Sequence, residues 1–195
     1  MKKSELRKKY IALRENFSQN EVKVLSERIF HHFLERFKLS ENQKIHCFLS
    51  MIEKNEIDTG IFLNYFFKNK IRVFVPKIVK NKLISVEIFQ KMTLIKSSYG
   101  ILEPESNLDS GEKNYDFVVT PLLYCDSSGN RVGYGKGFYD EFFEKINPDT
   151  VKIGVGLFSP AENVEDFWEK DITLDYLVTP TEVLSFRDFA SKFTK

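Results

Sequence analysis

The sequence predicts an α/β fold of three layers, with a largely parallel central sheet flanked by helices in the Rossmann-like manner. Three observations carry that expectation. Apolar, strand-like runs alternate with helix-period segments along the whole chain, the pattern of strand–helix–strand units. A glycine-rich span, Gly129 to Asp140, stands between an apolar strand and an amphipathic helix, where ligands of such sheets collect at the strands' carboxyl ends. The 195 residues contain no repeat and no low-complexity linker, so a single domain over residues 1–195 is expected.

The elements follow in order. Ser4 to Glu15 reads as a first helix. Ser18-Gln-Asn-Glu21 is a capping box that opens a second helix reaching about Phe37, with an apolar stripe of Val22, Leu25, Ile29, Phe33 and Phe37. Ile45 to Met51 is a strand, Thr59 to Lys68 a helix, Ile71 to Val75 a strand and Leu83 to Phe89 another. Tyr115 to Leu123 is the expected central strand, built on Val118, Val119, Leu122 and Leu123. Asp126-Ser-Ser-Gly129 is a turn. Phe138 to Ile146 is a helix whose Phe138, Phe142, Phe143 and Ile146 fall at helical spacing; Val151 to Leu157 and Tyr176 to Val178 complete the strands.

The glycine span, Gly129-Asn130-Arg131-Val132-Gly133-Tyr134-Gly135-Lys136-Gly137-Phe138-Tyr139-Asp140, is suited to polyphosphate. Gly133, Gly135 and Gly137 reach positive φ at little cost, so successive N–H groups can converge on an anion at a helix N-terminus. The competing reading is a tight strand-to-helix connection, and the charges of Arg131, Lys136 and Asp140 in the same span favour the functional one. A Walker A loop would need Ser or Thr after Lys136, where Gly137 stands, and a dinucleotide fingerprint would need glycine at Phe138.

Composition narrows the classes further. Lys plus Arg, 29, against Asp plus Glu, 28, gives a formal charge of +1, without the basic excess of a general nucleic-acid binder. The N-terminus has charges but no apolar h-region, and no segment approaches a membrane span, so a cytoplasmic protein free of nucleic-acid and membrane partners is expected. Cys47 and Cys125 lack the neighbours of a zinc site or a disulfide framework and read as buried free thiols. With His31, His32 and His46 as the only histidines, a Ser-His-Asp or Cys-His hydrolase has poor material.

The run through Pro121, Leu122, Leu123, Asp126, Gly129, Asn130, Arg131, Gly133, Gly135, Gly137, Tyr139 and Asp140 resembles the signature of the 5-formyltetrahydrofolate cyclo-ligase (methenyltetrahydrofolate synthetase) family. Five further segments resemble that family's elements in the same order. They are Lys3 with Leu6 and Arg7; Phe48-Leu49-Ser50 with Glu56-Ile57-Asp58-Thr59; Phe74-Val75-Pro76-Lys77; Gly100-Ile101-Leu102-Glu103-Pro104; and Asp171 with Asp175.

The resemblance implies ATP- and Mg²⁺-dependent closure of 5-formyltetrahydrofolate to 5,10-methenyltetrahydrofolate, with ADP and phosphate released after phosphorylation of the formyl oxygen. It implies that Lys3, Arg7, Arg131, Val132, Gly133, Tyr134, Gly135, Lys136, Gly137, Phe138 and Tyr139 bind ATP, with Arg131 and Lys136 catalytic. It further implies that Leu49, Glu56, Tyr134, Gly135, Lys136, Gly137 and Phe138 bind the folate, with Asp58 as the alternative to Glu56. Phe138 stands where many relatives carry tyrosine. Asp140 and Asp171 are the implied Mg²⁺ ligands, Asp175 rivalling the second; one or two carboxylates suffice when phosphates supply the remaining oxygens. Reduced folate and ATP are the expected partners of a monomer, with a dimer as the alternative. Two other classes stay open: a different ATP- or sugar-phosphate-using enzyme on a related scaffold, and a non-catalytic folate- or RNA-binding relative.

Overall fold

A computed structural model describes residues 1–97 and 102–187. Gly100 and Ile101, from the glycine-isoleucine segment of the resemblance, lie outside the described residues.

Seven strands form one sheet in the order β11-β10-β9-β6-β1-β2-β3. These are β1 (Lys44–Cys47), β2 (Arg72–Val79), β3 (Lys82–Ile88), β6 (Phe117–Pro121), β9 (Val151–Val155), β10 (Tyr176–Val178) and β11 (Val183–Ser185). Neighbours from β10 to β2 pair in parallel, while β3 and β11 pair antiparallel at the two edges. The three-layer expectation is met, β6 is central, and the parallel strands direct their carboxyl ends to one side.

Helices α2 (Gln19–Arg36) and α3 (Gly60–Lys68) cover one face. Ile29, Phe33, Phe62 and Phe66 pack there on Cys47, Val75, Val119 and Ile153. Burying each of those phenylalanines stabilises the fold by about 1.5–3 kcal/mol. Helix α4 (Phe138–Lys145) covers the other face through Phe142 and Phe143, which meet Phe74, Tyr115 and Val118. His46 lies wholly buried on that side with its ring 4.5 Å from Phe142. Burial pushes its pKa down to about 3, so the ring is neutral. Cys47 and Cys125 are buried free thiols, as expected.

Ser18 caps α2 as the sequence predicts: its hydroxyl accepts from Glu21 N–H while the Glu21 carboxylate accepts from Ser18 N–H at 2.8 Å. Among the described residues two small antiparallel pairs went unpredicted, β4 (Leu94–Lys96) with β5 (Leu102–Pro104) and the hairpin of β7 (Tyr124–Cys125) with β8 (Arg131–Val132). Their strands are two or three residues long, too short to show a period. The expected strands Ile45–Met51 and Tyr115–Leu123 are shorter in the fold, because the chain leaves the sheet at Cys47 and at Pro121 for the loops that build the site.

Helix α1 (Lys3–Glu15) stands apart from both layers. It packs on the β7–β8 hairpin through Leu6 and Tyr10, and Tyr10 stacks on Tyr124 with ring centroids 4.2 Å apart. That places α1 against the start of the glycine span.

Candidate active site

Arg131 and Val132 form β8, and residues 133–137 run from there to the N-terminus of α4. Gly135 has φ +84° and Gly137, the N-cap of α4, has φ +72°, conformations that side chains with a Cβ resist. Gly133 does not use positive φ; Gly129, at +84°, does, and Leu174 O and the Phe186 ring lie 3.0 Å from where its Cβ would stand. Asp126, a buried member of the signature, sets the turn that precedes the loop. Its Oδ1 accepts from Ser128 N at 3.0 Å and Asn130 N at 2.9 Å, and its Oδ2 from Asn130 Nδ2 and Val164 N.

At one end of the loop the predicted phosphate and metal residues converge, paired with one another. Arg7 Nε donates to Gly133 O at 2.9 Å, and its Nη2 lies 2.9 Å from the Cβ position of Gly135, so the guanidinium rests on the loop backbone. Arg131, its side chain only 7 % exposed, donates to Asp140 Oδ1 at 2.6 Å and to Ile172 O at 2.8 Å, with Phe143 under its guanidinium. Asp140 Oδ1 also accepts from Ile172 N at 3.2 Å. Lys3 Nζ meets Asp171 Oδ2 at 2.5 Å, and that same oxygen accepts from Trp168 N at 2.5 Å. Burial lowers the Arg131 pKa, and the charge and hydrogen bond of Asp140, with a smaller contribution from the charge of Asp171, oppose the shift. Lys136 is exposed on the loop between the two left-handed glycines, and no ion pair holds it among the described residues.

The donor set fits Mg²⁺ only in part from the protein. Asp140 and Asp171 each offer hard carboxylate oxygens, and the described residues contain no cluster of three His, Cys, Asp or Glu side chains. Such a pair suits a magnesium ion that takes its other ligands from phosphates and water. Asp175, the rival, accepts from Lys152 N at 2.7 Å and pairs with Arg187 at 3.3 Å at the start of β10, a structural tie within the sheet.

The opposite end of the loop is buried. The Glu56 side chain accepts from Met51 N–H at 2.8 Å, and Arg14, Tyr134 and Lys54 act on its charge. Its residue is 5 % exposed, and burial raises its pKa above the ordinary carboxylate value while those neighbours oppose the rise. The Tyr134 hydroxyl accepts from Arg14 Nη1 at 3.2 Å, and Lys54 Nζ stands 4.9 Å from the Tyr134 ring centroid. The Tyr139 hydroxyl is buried without a partner among the described residues, with Cys47, Glu56 and Arg131 the charged or titratable groups it feels. Asp58, the alternative to Glu56, instead closes the turn that enters α3, its Oδ1 accepting from Gly60 N at 2.8 Å. Leu49 sits in the core beside this loop, 8 % exposed, and Phe138 opens α4, half-buried.

Three features of this region were given no site role in the sequence reading. Arg14 lies eleven residues from Lys3 and seven from Arg7, one helical face, and that spacing is the signal that could have found it. Lys77, buried in β2, donates to Pro104 O at 2.5 Å and Glu105 O at 3.1 Å, joining two of the resembling segments. Asn55, left-handed at φ +50°, pins the Glu56 loop to the end of α1 and had no sequence signal.

The profile of the 5-formyltetrahydrofolate cyclo-ligase family matches residues 1–180, and the chain belongs to that family. A probable 5-formyltetrahydrofolate cyclo-ligase of Caenorhabditis elegans is 26 % identical over 94 % of this chain and 95 % of its own length. The corresponding enzyme of Haemophilus influenzae is 24 % identical over 85 % of this chain and 89 % of its own. The NMR structure of Aquifex aeolicus 5,10-methenyltetrahydrofolate synthetase superposes with a TM-score of 0.77 at 29 % identity, covering 96 % of this chain and 94 % of that one.

Proposed function

We propose that this cyclo-ligase family member converts 5-formyltetrahydrofolate to 5,10-methenyltetrahydrofolate with hydrolysis of ATP and with Mg²⁺, on the two sides of the glycine loop. The observation that carries the reading is the division of that loop. Its one end gathers Lys3, Arg7, Arg131, Asp140 and Asp171; its other end holds a buried carboxylate, Glu56, and a phenol, Tyr139, whose hydroxyl has no partner among the described residues.

The phosphate end receives the triphosphate. Arg7, Lys3, Arg131, exposed Lys136 and the N–H groups around Gly135 and Gly137 offset its charge, which is where catalysis of phosphoryl transfer resides. Bound at Asp140 and Asp171, Mg²⁺ supplies further neutralisation of the phosphate oxygens. Lys3 and Arg131, which pair with those carboxylates, would have the phosphate oxygens as alternative partners.

The pterin end orients the folate. Ionised Glu56 accepts from N–H groups of the heterocycle, and the phenols of Tyr134 and Tyr139 close around it. With both substrates in place the formyl oxygen attacks the γ-phosphorus, the bond to the bridging oxygen breaks, and ADP leaves. N10 then attacks the activated formyl carbon and loses its proton, the carbon–oxygen bond breaks, and inorganic phosphate departs. An amide-like oxygen is a weak nucleophile, so the step depends on positioning and charge. Lys136→Ala is expected to lower the rate more than it weakens folate binding, because the lysine acts on charge that moves during transfer.

Purified protein with 5-formyltetrahydrofolate and MgATP should develop the near-ultraviolet absorbance of the conjugated methenyl product and release ADP in equal amount. Omission of ATP or of Mg²⁺ should abolish both. ADP without the methenyl product would assign the chain to another acceptor, and folate binding with neither product would make it a binding module. Trp168, the one tryptophan, is 73 % exposed and hydrogen-bonded through its backbone N–H to Asp171, so a change in its fluorescence on adding MgATP is the expected independent sign of nucleotide binding.

A further inference from the structure

Arg14 is the third cation on the face of α1 that carries Lys3 and Arg7, and it differs from both. It is 4 % exposed, its Nη2 donates to Leu122 O at 2.5 Å, and its Nη1 donates to the Tyr134 hydroxyl at 3.2 Å. Its Nε is buried and has no partner among the described residues. The backbone of the same residue holds a neighbouring loop, since Arg14 O accepts from Asn55 Nδ2 at 3.1 Å, and Phe17 O accepts from that amide at 2.7 Å. Gln19 Nε2 in turn donates to Asn55 Oδ1 at 2.5 Å and to Ile52 O at 3.0 Å. The short 3₁₀ turn Ile52–Lys54 and left-handed Asn55, which lead into Glu56, are therefore clamped onto the junction of α1 and α2.

We propose that Arg14 is a positioning residue for the pterin end of the site. Its guanidinium holds Tyr134 from one side and its carbonyl holds the Glu56 loop from the other, so that the carboxylate meets the heterocycle as a fixed acceptor. The proposal rests on the functional reading above and adds a residue that touches neither substrate. A buried carboxylate without a nearby cation takes a proton and ceases to be an acceptor only, so Arg14 also keeps the site in its recognising form. The groups that face Glu56 are Arg14 from α1, Lys54 from the 3₁₀ turn, Tyr134 from the glycine loop and Tyr139 from α4. Of the two cations, Lys54 lies over the Tyr134 ring and only Arg14 hydrogen-bonds its hydroxyl.

The test is the dissociation constant of 5-formyltetrahydrofolate without ATP, measured across pH, beside that of MgATP from Trp168 fluorescence. Arg14→Met is expected to weaken folate binding roughly ten-fold or more, the value of a hydrogen bond to a charged group, and to leave MgATP within about two-fold. Wild-type folate affinity falls as the pH drops and Glu56 is protonated; in Arg14→Met that fall begins at higher pH, and Arg14→Lys restores part of the difference. Arg14→Lys and Tyr134→Phe should be non-additive for folate, since they break one contact. They carry the test if Arg14→Met fails to fold. An unmoved acid limb, additive effects, or equal loss of both ligands overturns the proposal. Wild-type protein that binds no 5-formyltetrahydrofolate overturns the functional reading and this one together.

Discussion

The two ends of the glycine loop handle charge in opposite ways. At the phosphate end Lys3 meets Asp171, Arg131 meets Asp140 and Arg7 rests on the loop carbonyl, so these three cations, unlike exposed Lys136, have partners that a bound ligand would exchange. At the pterin end Glu56 is nearly enclosed, Arg14 is buried, and the Tyr139 hydroxyl and Arg14 Nε are left without partners among the described residues. Exchange of partners lets a highly charged substrate enter without a large desolvation penalty. Unpartnered buried atoms cost stability, and a folate bound as proposed would relieve that cost at the Tyr139 hydroxyl.

The largest effect should come from the phosphate end. Asp140→Asn keeps oxygen to accept from Ile172 N and Arg131 but removes a charge and a strong magnesium ligand. Turnover should fall roughly a hundred-fold or more while circular dichroism stays that of the wild type. Near-normal turnover at limiting Mg²⁺ would remove Asp140 from the metal site.

Gly135→Val sharpens the same side. Its φ of +84° excludes a β-branched residue, and its Cβ would press on Arg7. MgATP affinity should drop roughly ten-fold or more, with folate binding less affected. Equal loss of both substrates would mean that the two ends are not separable.

Glu56→Gln addresses the buried end. Folate affinity should fall roughly ten-fold or more, whereas the protein should gain stability at neutral pH. The sign follows from the raised pKa: the native state holds the Glu56 proton more tightly than the unfolded chain does, so stability is full below the unfolded value near 4.5 and is lost as pH rises through the folded one. Thermal midpoints should therefore separate at neutral pH, with the variant higher, and converge below pH 4.5. A lower midpoint for the variant at neutral pH would show that the neighbours of Glu56 outweigh its burial.

The smallest effect lies outside the comparison. Ser18→Ala removes the α2 cap and should cost about 1 kcal/mol in denaturant unfolding, leaving both ligand affinities unchanged. Any change in either affinity would tie the α1–α2 junction to the site more closely than Asn55 alone does.

Helices α1 to α4 and the parallel strands were legible because an amphipathic period or an apolar run is a local property, written in neighbouring residues. So were the glycine loop and the capping box. The antiparallel edge strand β11 and the antiparallel pairs β4–β5 and β7–β8 were not, since three or fewer residues carry no period and acquire pairing only when a partner strand is presented. Glu56 was preferred over Asp58 by resemblance, and the environments of the two differ in a way no local pattern states: Glu56 is buried, whereas Asp58 closes the turn before a helix.

By itself the sequence determined the α/β class, the strand-to-helix glycine loop with its cations, and the family, all of which depend on residue types at short spacings. Only the tertiary structure decided which of those residues share a place. That Asp171 joins Lys3 across 168 positions, that Asp175 serves the sheet, and that Arg14 reaches Tyr134 across 120 positions follow from how α1 lies over the loop. The reason is physical: a helical face states only that side chains point the same way, whereas the packing of Leu6 and Tyr10 on Tyr124 and Val132 chooses what that face meets.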